Sequence, residues 1–83
     1  MDMIERVARG IYEGRNGAGC KPWSIQPKAH KGPYLADAFA AIKAMHEPTE
    51  EMVSRGDVYA DGPGYAHKVW QEMIAVALTP SRT

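Results

Sequence analysis

The chain has 83 residues, 45% of them apolar, with 10 Lys+Arg balanced by 10 Asp+Glu, 8 Gly, 6 Pro and 1 Cys. That length fits one domain that buries only about 60% of the surface its unfolded chain exposes, and the mixture of apolar and charged residues is that of a folded domain, not a disordered one. A lone Cys20 excludes an internal disulfide and a multi-cysteine zinc site, no apolar run nears the ~18 residues that span a bilayer, and the start is a charged amphipathic segment unlike a signal peptide. The expectation is a small, soluble, cytoplasmic protein with a single domain over residues 1–83.

The first helix is expected over residues 3–13. Ile4, Val7, Ala8 and Ile11 follow the i, i+3, i+4, i+7 spacing of one helix face. Asp2 is placed to cap the free amides with Glu5 three residues on, and Gly14 is the expected terminator. Gly14 to Gly32 reads as an irregular connection, punctuated by Gly17, Gly19, Pro22 and Pro27. Trp23 and Ile25 are expected to tack it to the core, and part of it to form a single helical turn. The second helix is expected to start at Gly32-Pro33, since proline suits a first helical position, and to carry Leu35, Ala38, Phe39, Ile42 and Met45 as one stripe until Pro48 ends it.

Thr49 then caps a short third helix, with Glu50 and Glu51 in its first turn, Met52 and Val53 facing inward and Gly56 as the stop. After the turn-rich residues 57–64, a fourth helix is expected over 65–78, its stripe being Ala66, Val69, Trp70, Met73, Ile74, Ala77 and Leu78. No segment shows the alternation of a strand. The predicted fold class is all-α: a bundle of three main helices plus one short helix, with a long Gly/Pro-rich loop over residues 14–32 and a core around Ile11, Phe39, Ile42, Trp70 and Ile74.

Zero net charge hides an uneven distribution. Residues 1–31 hold six Lys/Arg against three acids, and from Arg15 to Lys31 four basic residues (Arg15, Lys21, Lys28, Lys31) stand with no acid at all. From Glu47 to Asp61 the chain carries Glu47, Glu50, Glu51, Asp57 and Asp61 against a single Arg55. Asymmetry of this kind bears on partner choice and association rate, not on fold.

The residues offer little chemistry. His30, His46 and His67 do not fall at metal-ligand spacing with each other or with Cys20; His46 beside Glu47 reads either as a ligand with a distant partner or as a solvated residue at a helix C-terminus. Cys20 has Lys21 adjacent and His30 in the same loop, but a nucleophile needs a positioned base and a shielded site, which a Gly-rich loop does not supply. The run Gly14-Arg15-Asn16-Gly17-Ala18-Gly19-Cys20-Lys21 fails as a phosphate loop: Cys20 separates Gly19 from Lys21 and a helix precedes it. Helix two, the turn and helix three have a helix-turn-helix outline, yet the would-be recognition helix opens Glu50-Glu51, which repels phosphate. The expectation is no enzyme, no metal and no cofactor.

At Ile4-Glu5-Arg6-Val7-Ala8-Arg9, His46-Glu47-Pro48-Thr49-Glu50-Glu51-Met52-Val53 and Val69-Trp70-Gln71-Glu72-Met73-Ile74, the chain resembles a group of small phage and prophage accessory proteins. They share an "IERVARAI" start, an "AAI-AMREPTEEMV" middle and a "W-AMIDAAL" end. The likeness leaves the Gly14–Lys31 loop unmatched. His46 stands where Arg is common and Gly10 where Ala is common. The group brings no established activity, so no catalytic residue is carried over. What the resemblance implies is a gene in the accessory region of a mobile element, where small proteins commonly bind and block host machinery, anti-CRISPR proteins above all. The expected function is therefore an inhibitor, monomeric or homodimeric, that binds a host protein complex such as a CRISPR effector through Glu47, Glu50, Glu51, Asp57 and Asp61. The alternatives are a nucleic-acid-binding regulator using Arg15, Lys21, Trp23, Lys28 and Lys31, or a structural phage component. No membrane role is expected.

Overall fold

The computed structural model describes residues 2–60 and 62–80, and every regular element among them is helical. Helix α1 spans Met3–Asn16, a 3₁₀ turn Trp23–Ile25, α2 Lys28–Ala44, α3 Glu50–Asp57 and α4 Tyr65–Ala77. None of these helices is long and apolar enough to cross a membrane.

α1 opens as its capping signal predicts: the Asp2 carboxylate accepts the Glu5 amide at 2.8 Å. It does not stop at Gly14. The terminator is Gly17, whose φ of +79° lets its amide turn back to the Glu13 carbonyl at 3.0 Å. Asn16, in the added turn, donates to the Tyr12 carbonyl at 2.8 Å and to the Tyr34 hydroxyl at 3.3 Å.

The expected loop over 14–32 is correspondingly shorter, because α2 also begins earlier than Gly32. Pro27, not Pro33, is the entry: its carbonyl accepts the His30 and Lys31 amides, both at 3.0 Å. Pro33 lies inside the helix, where its missing N–H removes one backbone bond. Aromatic packing offsets that loss. The Tyr34 ring stands edge-on to Tyr12 (centroids 5.5 Å apart) and to Trp23 (6.1 Å), His30 lies 5.9 Å from Tyr34, and the Lys31 ammonium sits 5.2 Å from the centre of the Trp23 ring. Each of these contacts uses a residue in the first two turns of α2, so the turn before Gly32 is stabilised by tertiary packing that no local periodicity reveals.

The core is likewise not the one expected. Its centre is Ala8, Tyr12, Trp23 and Ala38, with Ile4, Val7, Ile11, Cys20, Tyr34 and Leu35 packed around them. Ala8 and Ala38 let α1 and α2 approach closely, and the two large rings fill the space beside them. Ile42 and Ile74 are buried as expected, but Ile11 and Trp70 are only half-buried and Phe39 is exposed. Trp23 does tack the connection down; Ile25 points outward.

α3 and α4 form a smaller second hairpin. Gly56, expected to stop α3, lies within it and faces Ala66: a Cβ at Gly56 would meet the Ala66 Cβ at 2.7 Å. The glycine is there so that the two helices can touch. α2 meets α4 over a narrow patch, where the Trp70 indole N–H donates to the Met45 carbonyl at 2.7 Å. The result is an elongated molecule of 46 × 29 × 17 Å with a radius of gyration of 15.7 Å, against about 12 Å for a compact domain of this length.

Candidate partner-binding surface

The acids Glu47, Glu50, Glu51 and Asp57 lie in α3 or just before it, and the fold uses them unequally. Thr49 caps the helix, its hydroxyl accepting the Met52 amide at 3.2 Å, which places Glu50 and Glu51 in the first turn where the helix dipole favours negative charge. Both are exposed, and among the described residues neither takes part in a hydrogen bond or an ion pair.

Glu47 and Asp57 are held from within. The Glu47 carboxylate accepts the Gln71 side-chain amide and lies 3.3 Å from His67 Nε2, without a hydrogen-bond alignment. This joins the α2–α3 turn to α4. Asp57 reaches across the following turn and accepts the Gly64 and Ala66 amides, each at 3.3 Å, so it is the N-terminal cap of α4. Asp61 lies outside the described residues. Of the five acids read as one face, Glu50 and Glu51 are thus free to meet a partner, while Glu47 and Asp57 have structural work.

Beside Glu51 runs an open groove of about 580 Å³ between α3 and α4, with Pro48, Met52, Arg55, Ala66 and Trp70 along it. It is too open to shield a reaction from water. Among the described residues no group of three or more His, Cys, Asp and Glu converges as a metal set.

The basic alternative is rearranged by the fold. Arg15 falls in the last turn of α1, Lys28 and Lys31 in the first turns of α2, and Lys21 in the connection, where its carbonyl accepts the Tyr12 hydroxyl at 2.6 Å. Trp23, which would have to stack on bases, is 3% exposed; its indole N–H donates to Glu5 at 3.3 Å and Lys31 covers its ring. A buried ring offers nucleic acid no stacking platform. Burial pushes the Tyr12 phenol above its ordinary range, and the neighbouring Cys20 thiol pushes it the same way.

Two features of the surface escaped the periodicity. One is the pairing of Glu47 with His67 and Gln71, which links residues 20 or more apart in the chain and leaves no local signature. The other is that α4 is apolar on two sides. Ile74 is buried and Trp70 half-buried, while Tyr65, Val69, Met73 and Val76 are more than half exposed on the opposite face. Their i, i+4, i+8, i+11 spacing is visible in the sequence once the Trp70–Ile74 face is set aside. Compared with known protein families, curated proteins and solved structures, the chain matches none.

Proposed function

We propose that this chain is a phage-encoded inhibitor that binds a bacterial host protein complex in the cytoplasm and blocks it by occupying its surface, as an anti-CRISPR protein does, without catalysis or cofactor. The reading rests on the resemblance of the 4–9, 46–53 and 69–74 segments to phage accessory proteins. A single structural observation supports it: Glu50 and Glu51 stand exposed, their side chains unpaired among the described residues, at the first turn of α3, with Glu51 beside the mostly apolar groove. Acids in that position meet a basic, nucleic-acid-facing surface favourably, raising the encounter rate more than the final affinity, while Met52 and Trp70 supply apolar contact alongside.

The test is affinity capture from host lysate with the wild-type chain and with a Glu50→Gln/Glu51→Gln variant, which removes charge but leaves the Asp57 cap and the Glu47–Gln71 contact in place. The expected result is that the wild type retains a nucleic-acid-handling complex, prevents it from binding its nucleic acid, and loses on-rate in the variant. Capture of no host complex overturns the inhibitor reading; equal capture and equal on-rates by a folded variant overturn the acidic contact.

A further inference from the structure

The exposed stripe of α4 has an arrangement that matches itself. Tyr65, Val69, Met73 and Val76 are 56%, 54%, 63% and 73% exposed, and of these Tyr65 has Gly62 against one side of its ring. Lys68 and Glu72 lie along one edge of the stripe, both exposed, and among the described residues neither has an ion-pair partner. Within one helix, Lys four residues before Glu is the less favourable order. On the other edge Ala66 and Trp70 continue into the α3–α4 groove.

We infer that this face is covered by a second copy of the chain, α4 packing antiparallel on α4 about a two-fold axis beside Trp70 and Gln71. In that register Tyr65 of one copy lies opposite Val76 of the other, Val69 opposite Met73, and Lys68 opposite Glu72. The three pairings share one centre to within about a residue, or about 1.5 Å along the helix. A two-fold axis of this kind keeps each edge of the stripe on its own side, so the Lys68 and Glu72 edges of both copies meet and the Lys68–Glu72 pair forms twice.

The surface area supports the same conclusion. The chain exposes 6358 Å², whereas a compact monomer of its mass exposes about 4,900 Å². The excess of about 1,500 Å² belongs to the elongated molecule as a whole and leaves room for the roughly 800 Å² per partner that a stable interface covers. An exposed apolar strip on so thin a molecule is what an interface leaves bare when one copy is viewed alone. The inference is independent of the inhibitor reading, since steric blocking works at either stoichiometry.

The experiment is sedimentation equilibrium on the full chain from micromolar to millimolar concentration, with helical circular dichroism recorded on every variant. The wild type is expected to dimerise. Val69→Gln/Met73→Gln, which puts a good helix former at both positions, is expected to weaken the dimer by about a hundredfold or more while the monomer stays helical. Lys68→Glu alone and Glu72→Lys alone each set like charges against each other at two places and should weaken it by about fivefold. The double exchange Lys68→Glu/Glu72→Lys should restore it. A wild type that is monomeric throughout overturns the inference, as does a dimer indifferent to Val69→Gln/Met73→Gln. Single exchanges that weaken the dimer without rescue by the double exchange overturn the antiparallel register.

Discussion

The two helical hairpins of this chain are held by different means. Between α1 and α2, two alanines allow close approach, two large rings fill the remaining volume, and a lysine closes the Trp23 face. Between α3 and α4, Gly56 lies close against Ala66, and polar ties add to that contact: Asp57 capping α4 and Glu47 reaching Gln71. The first hairpin is stabilised by apolar burial, which is non-directional and tolerates small shifts. The second depends on geometry and on exposed hydrogen bonds, each contributing little on net. The difference places stability in the N-terminal half and leaves adaptable surface in the C-terminal half, where the free acids and the bare α4 face lie.

The largest test of that contrast is Trp23→Ala. Removing a buried tryptophan costs about 3–5 kcal/mol, comparable with everything a core of this size supplies. The variant is expected to lose its helical circular dichroism at room temperature. A cooperative urea transition at nearly the wild-type midpoint would show that the aromatic cluster is not the centre of the fold. The two tryptophans also report separately, since Trp23 sits in one hairpin and Trp70 in the other. With Trp23→Phe and Trp70→Phe as single-tryptophan probes at low protein concentration, the Trp70 signal is expected to change at lower urea than the Trp23 signal. Coincident transitions would mean that the narrow α2–α4 contact couples the halves into one unit.

Gly56→Ala ranks next and acts on the second hairpin alone. Alanine is the better helix former by roughly 1 kcal/mol, but its Cβ would fall 2.7 Å from the Ala66 Cβ, a distance that forces the helices apart. A net loss of about 1–3 kcal/mol is expected, as for overpacking in a close contact, and it should appear in the Trp70 transition. Ala66→Gly in the same chain removes the opposing methyl and should recover part of the loss. A more stable Gly56→Ala protein would show that α3 and α4 do not touch here.

Much of this architecture is legible in the sequence, and the part that is not has a physical reason. The all-helical class, the Asp2 and Thr49 caps and the burial of Ile42 and Ile74 follow from local spacing, which is where helix signals reside. The extra turns of α1 and α2 do not, because Asn16, His30, Lys31 and Tyr34 are stabilised by contacts across the hairpin that only the folded chain makes. Gly56, read from the sequence as the stop of α3, lies inside the helix for the same kind of reason: its place is set by Ala66 across the hairpin, a contact that local sequence does not show. At the candidate site, the sequence shows five acids as one charged stretch. Only the structure separates those that cap and clamp, Asp57 and Glu47, from those whose side chains have no partner among the described residues, Glu50 and Glu51.

The smallest expected effect comes from Tyr12→Phe, and it probes the first hairpin through pH. The ring stays, so the packing against Trp23 and Tyr34 persists; what goes is the hydroxyl that donates to the Lys21 carbonyl at 2.6 Å. Lys21 is exposed, so water takes over its carbonyl and the loss near neutral pH is expected to be smaller than for Gly56→Ala. The larger difference lies at alkaline pH. In the unfolded chain the phenol ionises near its ordinary value of 10.0, whereas burial, with Cys20, Tyr34 and Glu13 adding to it, keeps the folded form protonated to higher pH. The unfolded state therefore binds fewer protons above that point, and stability falls as pH rises. The contribution is fully present below pH 10 and is lost as pH climbs through the raised folded value. Phenylalanine cannot titrate, so Tyr12→Phe should flatten the alkaline decline in melting temperature relative to wild type. Parallel declines in the two proteins above pH 10 would mean that the Tyr12 hydroxyl ionises as freely in the folded chain as in the unfolded one, and that the aromatic core is open to water at its centre.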